Sequence, residues 1–190
     1  MKPKDDKKIE QIYNATLQLV KEKGLAGITM SEIAKEAGLA TGTLYIYFKS
    51  KDELVNALFT ACRKASAEVY FKNYEPAKPF KIGFKTIWLN LLKYRLDKFE
   101  QAVFLDQCYH SPYITESNKV ITKKLFQPLY KLVERGKEER LLKNIDTFLL
   151  LTFMVGTINE VVKHTRYNGK PLTKSMMEQM FNLCWDGIKE

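Results

Sequence analysis

Residues 29–48, TMSEIAKEAGLATGTLYIYF, decide the architecture of this chain. Thr29, Met30, Ser31 and Glu32 have the spacing of a capping box: the threonine oxygen accepts from an exposed backbone N–H, and a glutamate three residues on reaches back to the cap. A short helix is therefore predicted from Thr29 to Gly38, where glycine allows the chain to turn with positive φ. A second short helix is predicted over residues 41–48. Ala34 is small where the second helix passes close, and Ile33, Leu39 and Leu44 fall inward to lock the pair at a fixed angle. Two short helices on a tight turn make a helix-turn-helix. Such a unit lays its second helix in the major groove of DNA while the first crosses the backbone.

Helical spacing continues on both sides. Residues 7–23 carry Ile9, Ile12, Tyr13, Leu19 and Val20, with Gly24 as the stop. Ser50, Lys51, Asp52 and Glu53 form a second capping box, opening a long helix to about Lys72. The stretch NYEPAKP, residues 73–79, breaks it. Another long helix is marked by Phe80, Phe84, Ile87, Trp88, Leu91, Leu92 and Leu96, and Ser111-Pro112 marks a turn. Residues 117–137 form a helix that Pro128 either kinks or splits. Two more helices cover about 145–165 and 173–188, separated by a turn at residues 167–171. The expected fold is all-α, with about nine helices: a helix-turn-helix domain over residues 1–50, then a helical domain over 51–190.

The 190 residues are 45% hydrophobic and 28% charged, an ordinary balance for a chain with a buried core. The net charge of +9 permits a polyanionic partner but does not locate it. Residues 1–64 hold 11 basic and 8 acidic side chains (+3), and the remainder holds 20 and 14 (+6), so the excess is not concentrated in the helix-turn-helix. Cys62, Cys108 and Cys184 are odd in number and far apart, which is no disulfide framework. Cys108 and His110 lie close, but a metal would need further ligands, so no metal is expected. The opening MKPKDDKKIE has no apolar core of the kind a secretory leader carries, and the protein is expected in a reducing cytoplasm. The most apolar run, residues 148–158, is shorter than the roughly 20 residues a membrane span needs; it reads as a buried helix, and no membrane association is expected. There are two histidines, no G-x-S-x-G and no glycine-rich phosphate loop, so neither enzymatic activity nor a cofactor is expected.

The run GLATGTLYIYFKSKDEL, residues 38–54, resembles the signature of the TetR family of bacterial regulators, a G-T-L-Y-x-Y-F core followed by K-x-x-L. The match is dense over about residues 8–56; beyond them the likeness is one of length, helical content and order. The resemblance implies a homodimer that binds double-stranded operator DNA, represses transcription and releases the operator when a small-molecule effector binds. It implies DNA contacts from Thr29, Thr41, Gly42, Thr43, Tyr45, Tyr47 and Lys51. The chemistry suits those roles. Threonine hydroxyls reach bases or phosphates, Gly42 lets the helix lie close, and phenols and Lys51 have reach and donors for phosphate. Sequence alone leaves a second reading for three of them: Thr29 as a cap only, and Tyr45 and Tyr47 as half-buried aromatics. Ile46 departs from the polar residue often found at its position, and either meets a thymine methyl or simply faces outward.

A helix-turn-helix of this size reads half a site, so subunits must pair. By family likeness, the last two helices build a four-helix interface, for which Thr152, Gly156, Asn159, Met177, Met180, Phe181 and Cys184 are the candidates. The alternative is that both helices are domain core. The resemblance also implies an effector cavity among the aromatics of the second half. Its candidate lining is Trp88, Phe104, Cys108, Tyr109, Tyr130 and Met154, apolar walls that suit a hydrophobic or aromatic effector. A DNA-binding regulator without an effector, or an architectural dimer, is the competing reading.

Overall fold

The computed structural model describes residues 6–109 and 111–190. Residues 1–5, which open the supposed non-leader sequence, and His110, the neighbour of Cys108, lie outside the described residues. Among those described there are ten helices: α1 (Asp6–Lys23), α2 (Met30–Glu36), α3 (Thr41–Tyr47), α4 (Lys51–Tyr70), α5 (Phe80–Asp97), α6 (Phe99–Tyr109), α7 (Glu116–Leu125), α8 (Gln127–Glu138), α9 (Thr147–Asn168) and α10 (Lys174–Ile188). The fold is all-α. Pro128 splits residues 117–137, because it sits in the first turn of α8, where its missing N–H costs nothing. The tenth helix arises at Lys98, where α5 gives way to α6 without a proline or glycine to announce the break.

The chain gathers into two compact units. The first holds the described residues up to Ala65 together with residues 98–124. Its core joins Ile12 and Val20 of α1, Ile33 of α2, Leu44 of α3 and Leu54, Val55 and Leu58 of α4 to Phe104 and Cys108 of α6. Each buried aliphatic of this kind contributes about 1.5–3 kcal/mol. Polar ties complete the unit. Gln107 of α6 accepts from Leu25 N at 2.6 Å and donates to the Val20 carbonyl at 3.4 Å, satisfying backbone groups where α1 ends in the left-handed Gly24. Asn118, almost fully buried, donates to Asn56 Oδ1 at 2.8 Å and accepts from the Thr60 hydroxyl at 2.8 Å, binding α7 to α4.

The second unit comprises residues 66–97 and 125–190. α5 is buried on most of its circumference, and its aromatics interlock with α10: Phe84 lies 5.9 Å from Trp185, and Trp88 meets Phe181 edge-on at 5.5 Å. The apolar run in α9 has two faces. Leu150, Leu151, Met154 and Ile158 are buried, whereas Phe148, Leu149 and Phe153 are exposed. Asp146 caps this helix, its carboxylate accepting from Phe148 N at 2.7 Å and Leu149 N at 3.3 Å.

Gly136 of α8 marks a close approach. A Cβ there would lie 2.5 Å from Phe80 Cζ and 2.8 Å from Leu142 Cδ1, and both of those side chains are buried. Neither can retreat freely, so the overpacking outweighs the better helix propensity of alanine. Gly136→Ala is expected to lose about 1–3 kcal/mol in a denaturant titration; an unchanged or raised midpoint would contradict this packing.

Candidate nucleic-acid interface

The predicted helix-turn-helix forms as α2, a turn and α3. Thr29 Oγ1 accepts from Glu32 N at 3.3 Å, and Glu32 Oε2 accepts from Thr29 N at 2.9 Å, so both halves of the capping box are made. Glu32 Oε1 also takes the Lys23 ammonium at 2.8 Å, tying the end of α1 to the start of α2. Gly38 turns the chain with φ of 67°, and Leu39 N closes back on the Ala34 carbonyl at 2.9 Å. Ile33, Ala34 and Leu44 are fully buried, which fixes the angle of α3.

The Lys23 hydrogen bond, followed by those from the Thr29 hydroxyl and N–H, holds the Glu32 carboxyl down at about 2, against an ordinary value of 4.5. A carboxyl depressed in the folded state stabilises above its unfolded value and loses that contribution as pH falls through its folded one. The brace is therefore expected to be intact above pH 4.5 and to fail toward pH 2. An acid titration of wild type against Glu32→Gln checks this: the variant lacks that part of the acid dependence, whereas identical profiles would remove the brace from the account.

Along α3, burial alternates with the turn of the helix. Leu44, Tyr47 and the following Phe48 face the core, Thr41 and Thr43 are half-buried, and Gly42, Tyr45 and Ile46 face outward. Ile46 is 69% exposed. A Cβ built on Gly42 meets nothing within 4 Å, so this surface is open. The seven DNA-contact candidates thus differ in availability. Gly42 and Tyr45 lie on the open face. Thr29 is exposed, but its hydroxyl is engaged with Glu32, donating to Oε2 at 2.8 Å. Tyr47, expected to reach phosphate, is instead mostly buried, because its position on α3 repeats the inward side of Leu44. Lys51 differs most from expectation. Its ammonium donates to the Ile28 carbonyl at 2.8 Å and the Ala26 carbonyl at 3.3 Å, and lies 5.3 Å from the Tyr113 ring centroid. It holds the loop that delivers Thr29. The second capping box is half-made: Ser50 Oγ accepts from Glu53 N at 3.1 Å, but Glu53 reaches back to Lys49 N at 2.7 Å rather than to Ser50.

The effector-site candidates do not form one cluster. Phe104 and Cys108 belong to the core of the first unit, packed there because α6 supplies the inner wall beneath α1 and α4. Tyr109, in the same unit, is 67% exposed. Trp88 and Met154 are buried in the second unit, where Tyr130 is 45% exposed. Trp88 Nε1 and Asn159 Oδ1 are buried polar atoms of that unit that make no ordinary hydrogen bond. The Trp88 indole acts only on the Cys184 sulfur, a weak acceptor. Burial pushes the Cys184 thiol up to about 11 and those of Cys62 and Cys108 up to about 12, so all three are poor nucleophiles at neutral pH.

Of the pairing candidates, Thr152 is exposed, Gly156 is partly exposed beside open space, and Met177 and Met180 are half-buried. Phe181 and Cys184 are instead buried within their own chain, because they lie on the side of α10 that meets Trp88. The outward face of α10 is carried by Met176 and Leu183, and that of α9 by Phe148, Leu149 and Phe153. Sequence reasoning passed over these α9 positions. A three-to-four residue count from Leu150, Met154 and Ile158 separates them from the buried side.

Residues 12–58 match the family described as bacterial regulatory proteins, tetR family, and residues 79–189 match the tetracyclin repressor-like C-terminal domain. A solved TetR-family transcription regulator from Marinobacter aquaeolei is similar over 100% of both chains, with a TM-score of 0.90 and 27% identity. An HTH-type transcriptional regulator of Haemophilus influenzae is 37% identical over 82 residues, 43% of this chain and 44% of its own length, so that match takes in less than half of the relative. The regulator FadR of Bacillus subtilis, solved in complex with stearoyl-CoA, shares the fold with a TM-score of 0.69 at 19% identity, covering 94% of this chain and 98% of its own. Fold, helix-turn-helix and relatives together define a DNA-binding transcriptional regulator of the helix-turn-helix class. The chain belongs to the TetR family. Among the described residues no helix is long and apolar enough to cross a membrane.

Proposed function

We propose that this chain is a homodimeric repressor that leaves its operator when a small apolar or aromatic effector binds the second unit. One observation carries the DNA-binding part: α3 is anchored by Leu44, Tyr47 and Phe48 while Gly42, Tyr45 and Ile46 face outward over open space. Thr41, Gly42, Thr43 and Tyr45 supply the groove and phosphate contacts. Thr29 and Tyr47 hold α2 and α3 in register, each offering at most the edge of a hydroxyl. The Lys51 ammonium has three donors, so it can keep the Ala26 and Ile28 carbonyls and still give one to phosphate. The proposed division of labour falls near residue 50, with DNA reading before it and sensing and pairing over 51–190. It is a division by task, since the first compact unit also takes in residues 51–65 and 98–124.

Pairing is assigned to the outward faces of α9 and α10. Leu149, Thr152, Phe153 and Gly156 recur at helical spacing on α9, and Met176, Met180 and Leu183 do so on α10. A monomer gains nothing by presenting two such faces to water. Effector binding is assigned to the interior around Trp88 and Met154. The indole N–H, which meets only the weakly accepting Cys184 sulfur, and the buried Asn159 oxygen are a donor and an acceptor that a ligand carrying a polar group would satisfy better. FadR's complex with an acyl-CoA supports a long apolar effector for this fold. The ligand acts only through its different affinities for the DNA-competent state and the released state, and α4, which the two units share, is the proposed lever.

Fluorescence anisotropy tests the proposal. A labelled duplex from upstream of the protein's own coding region is expected to bind with Kd on the order of 10 nM, more weakly as salt rises. A series of fatty acyl-CoA probes is then expected to lower anisotropy and to quench tryptophan emission together. Affinity no better than for random duplex would overturn the repressor reading. Tight binding that is indifferent to probes quenching tryptophan emission would favour a regulator without an effector switch.

A further inference from the structure

We propose that Ile46 reads the 5-methyl group of a thymine in each operator half-site, and that this apolar contact is a main source of base specificity in α3. The inference rests on α3 being the DNA-reading helix.

Its first support is exposure. Ile46 is the most exposed of the large aliphatic side chains in the first unit, at 69%, on a seven-residue helix whose other bulky aliphatic, Leu44, is fully buried. An isoleucine so placed does nothing for the core and leaves apolar surface in water. It has no shield on its own helix, because the residue one turn earlier on the same face is Gly42, with nothing within 4 Å of its Cβ direction. The same glycine lets the α3 backbone approach the groove floor, which brings a short branched side chain within reach of base edges.

The second support is chemical elimination along the helix. α3 reads TGTLYIY and contains no arginine, lysine, asparagine, glutamine, aspartate or glutamate. The side chains that make bidentate or charge-assisted bonds to guanine, adenine and cytosine edges are therefore missing from it. Hydroxyls of Thr41, Thr43 and Tyr45 can bond to several bases or to phosphate and discriminate weakly. The thymine methyl is the distinctive apolar feature of the major groove, and Ile46 is the one exposed aliphatic side chain of α3 to meet it, with more apolar surface to offer than the methyls of the half-buried Thr41 and Thr43.

The full-length protein is first used to select its operator from a pool of random duplexes. Each thymine of the selected site is then replaced singly by deoxyuridine, which removes the methyl and keeps the pairing, and affinities are measured by anisotropy. One thymine per half-site is expected to matter, with its replacement weakening binding about fourfold, the worth of one buried methyl. Ile46→Ala, which removes the contact in both half-sites, is expected to weaken binding to the parent duplex by the square of that factor, roughly sixteenfold, and to be indifferent to that same deoxyuridine. The exposed side chain leaves the fold intact, which far-UV circular dichroism verifies. Wild type indifferent to every replacement, or Ile46→Ala as sensitive as wild type to the critical one, overturns the proposal while leaving DNA binding by α3 in place. A selection that enriches no duplex overturns the DNA-reading assignment, and this inference with it.

Discussion

Gly42→Glu is expected to fold like the parent and to bind operator at least about a hundredfold more weakly, a loss of roughly 3 kcal/mol. The two halves of that expectation come from different observations. A Cβ at residue 42 meets nothing within 4 Å, and its backbone needs no left-handed conformation. Replacing a helical glycine removes conformational entropy from the unfolded chain, so stability holds or rises by up to about 1 kcal/mol. On DNA the same side chain occupies the space through which α3 approaches the bases, and its carboxylate is set among phosphates. Thermal melting and anisotropy on the same sample separate the effects. A variant that melts normally and still binds would mean that the outward face of α3 is not the face that meets DNA.

Leu183→Glu is expected to make the protein monomeric and to reduce operator affinity by about a hundredfold or more, since the second half-site is no longer held at high effective concentration. Leu183 is 75% exposed, so its own chain loses little packing. In an isologous interface one substitution acts twice, placing two carboxylates in an apolar contact. Sedimentation velocity reads the subunit state directly. The buried neighbours offer a contrast: Phe181→Ala removes the ring that meets Trp88 edge-on and should cost about 3–5 kcal/mol of stability, whatever the oligomer does. If Leu183→Glu remained dimeric, the pairing surface would have to be sought away from the outward face of α10.

The reading head was legible because its signals are local. The capping box at Thr29–Glu32, the glycine at 38 and the spacing of Ile33, Ala34 and Leu44 each act within a few residues, and α2 and α3 appear where those signals put them. Side-chain direction was less legible. Lys51 reads as a surface cation at a helix start, yet its ammonium bonds to carbonyls more than twenty residues earlier, which no spacing rule can show. The phenol of Tyr47 suits a phosphate contact, but helical phase puts it on the side of Leu44. The effector candidates failed to cluster for a topological reason: α6 returns to pack under α1 and α4, so Phe104 and Cys108 serve the first unit although they follow α5 in sequence. Phe181 and Cys184 were read from hydrophobicity, which does not tell the inner face of α10 from its outer one until Trp88 is seen against Phe181.

A hydroxyl-radical footprint of the full-length protein on its selected operator tests the central claim most directly. Two identical subunits presenting α3 should protect two inversely related half-sites, centred about one helical turn, or 34–36 Å, apart or at a whole multiple of that spacing. A single protected segment without two-fold symmetry, or protection unchanged by Gly42→Glu, would contradict it.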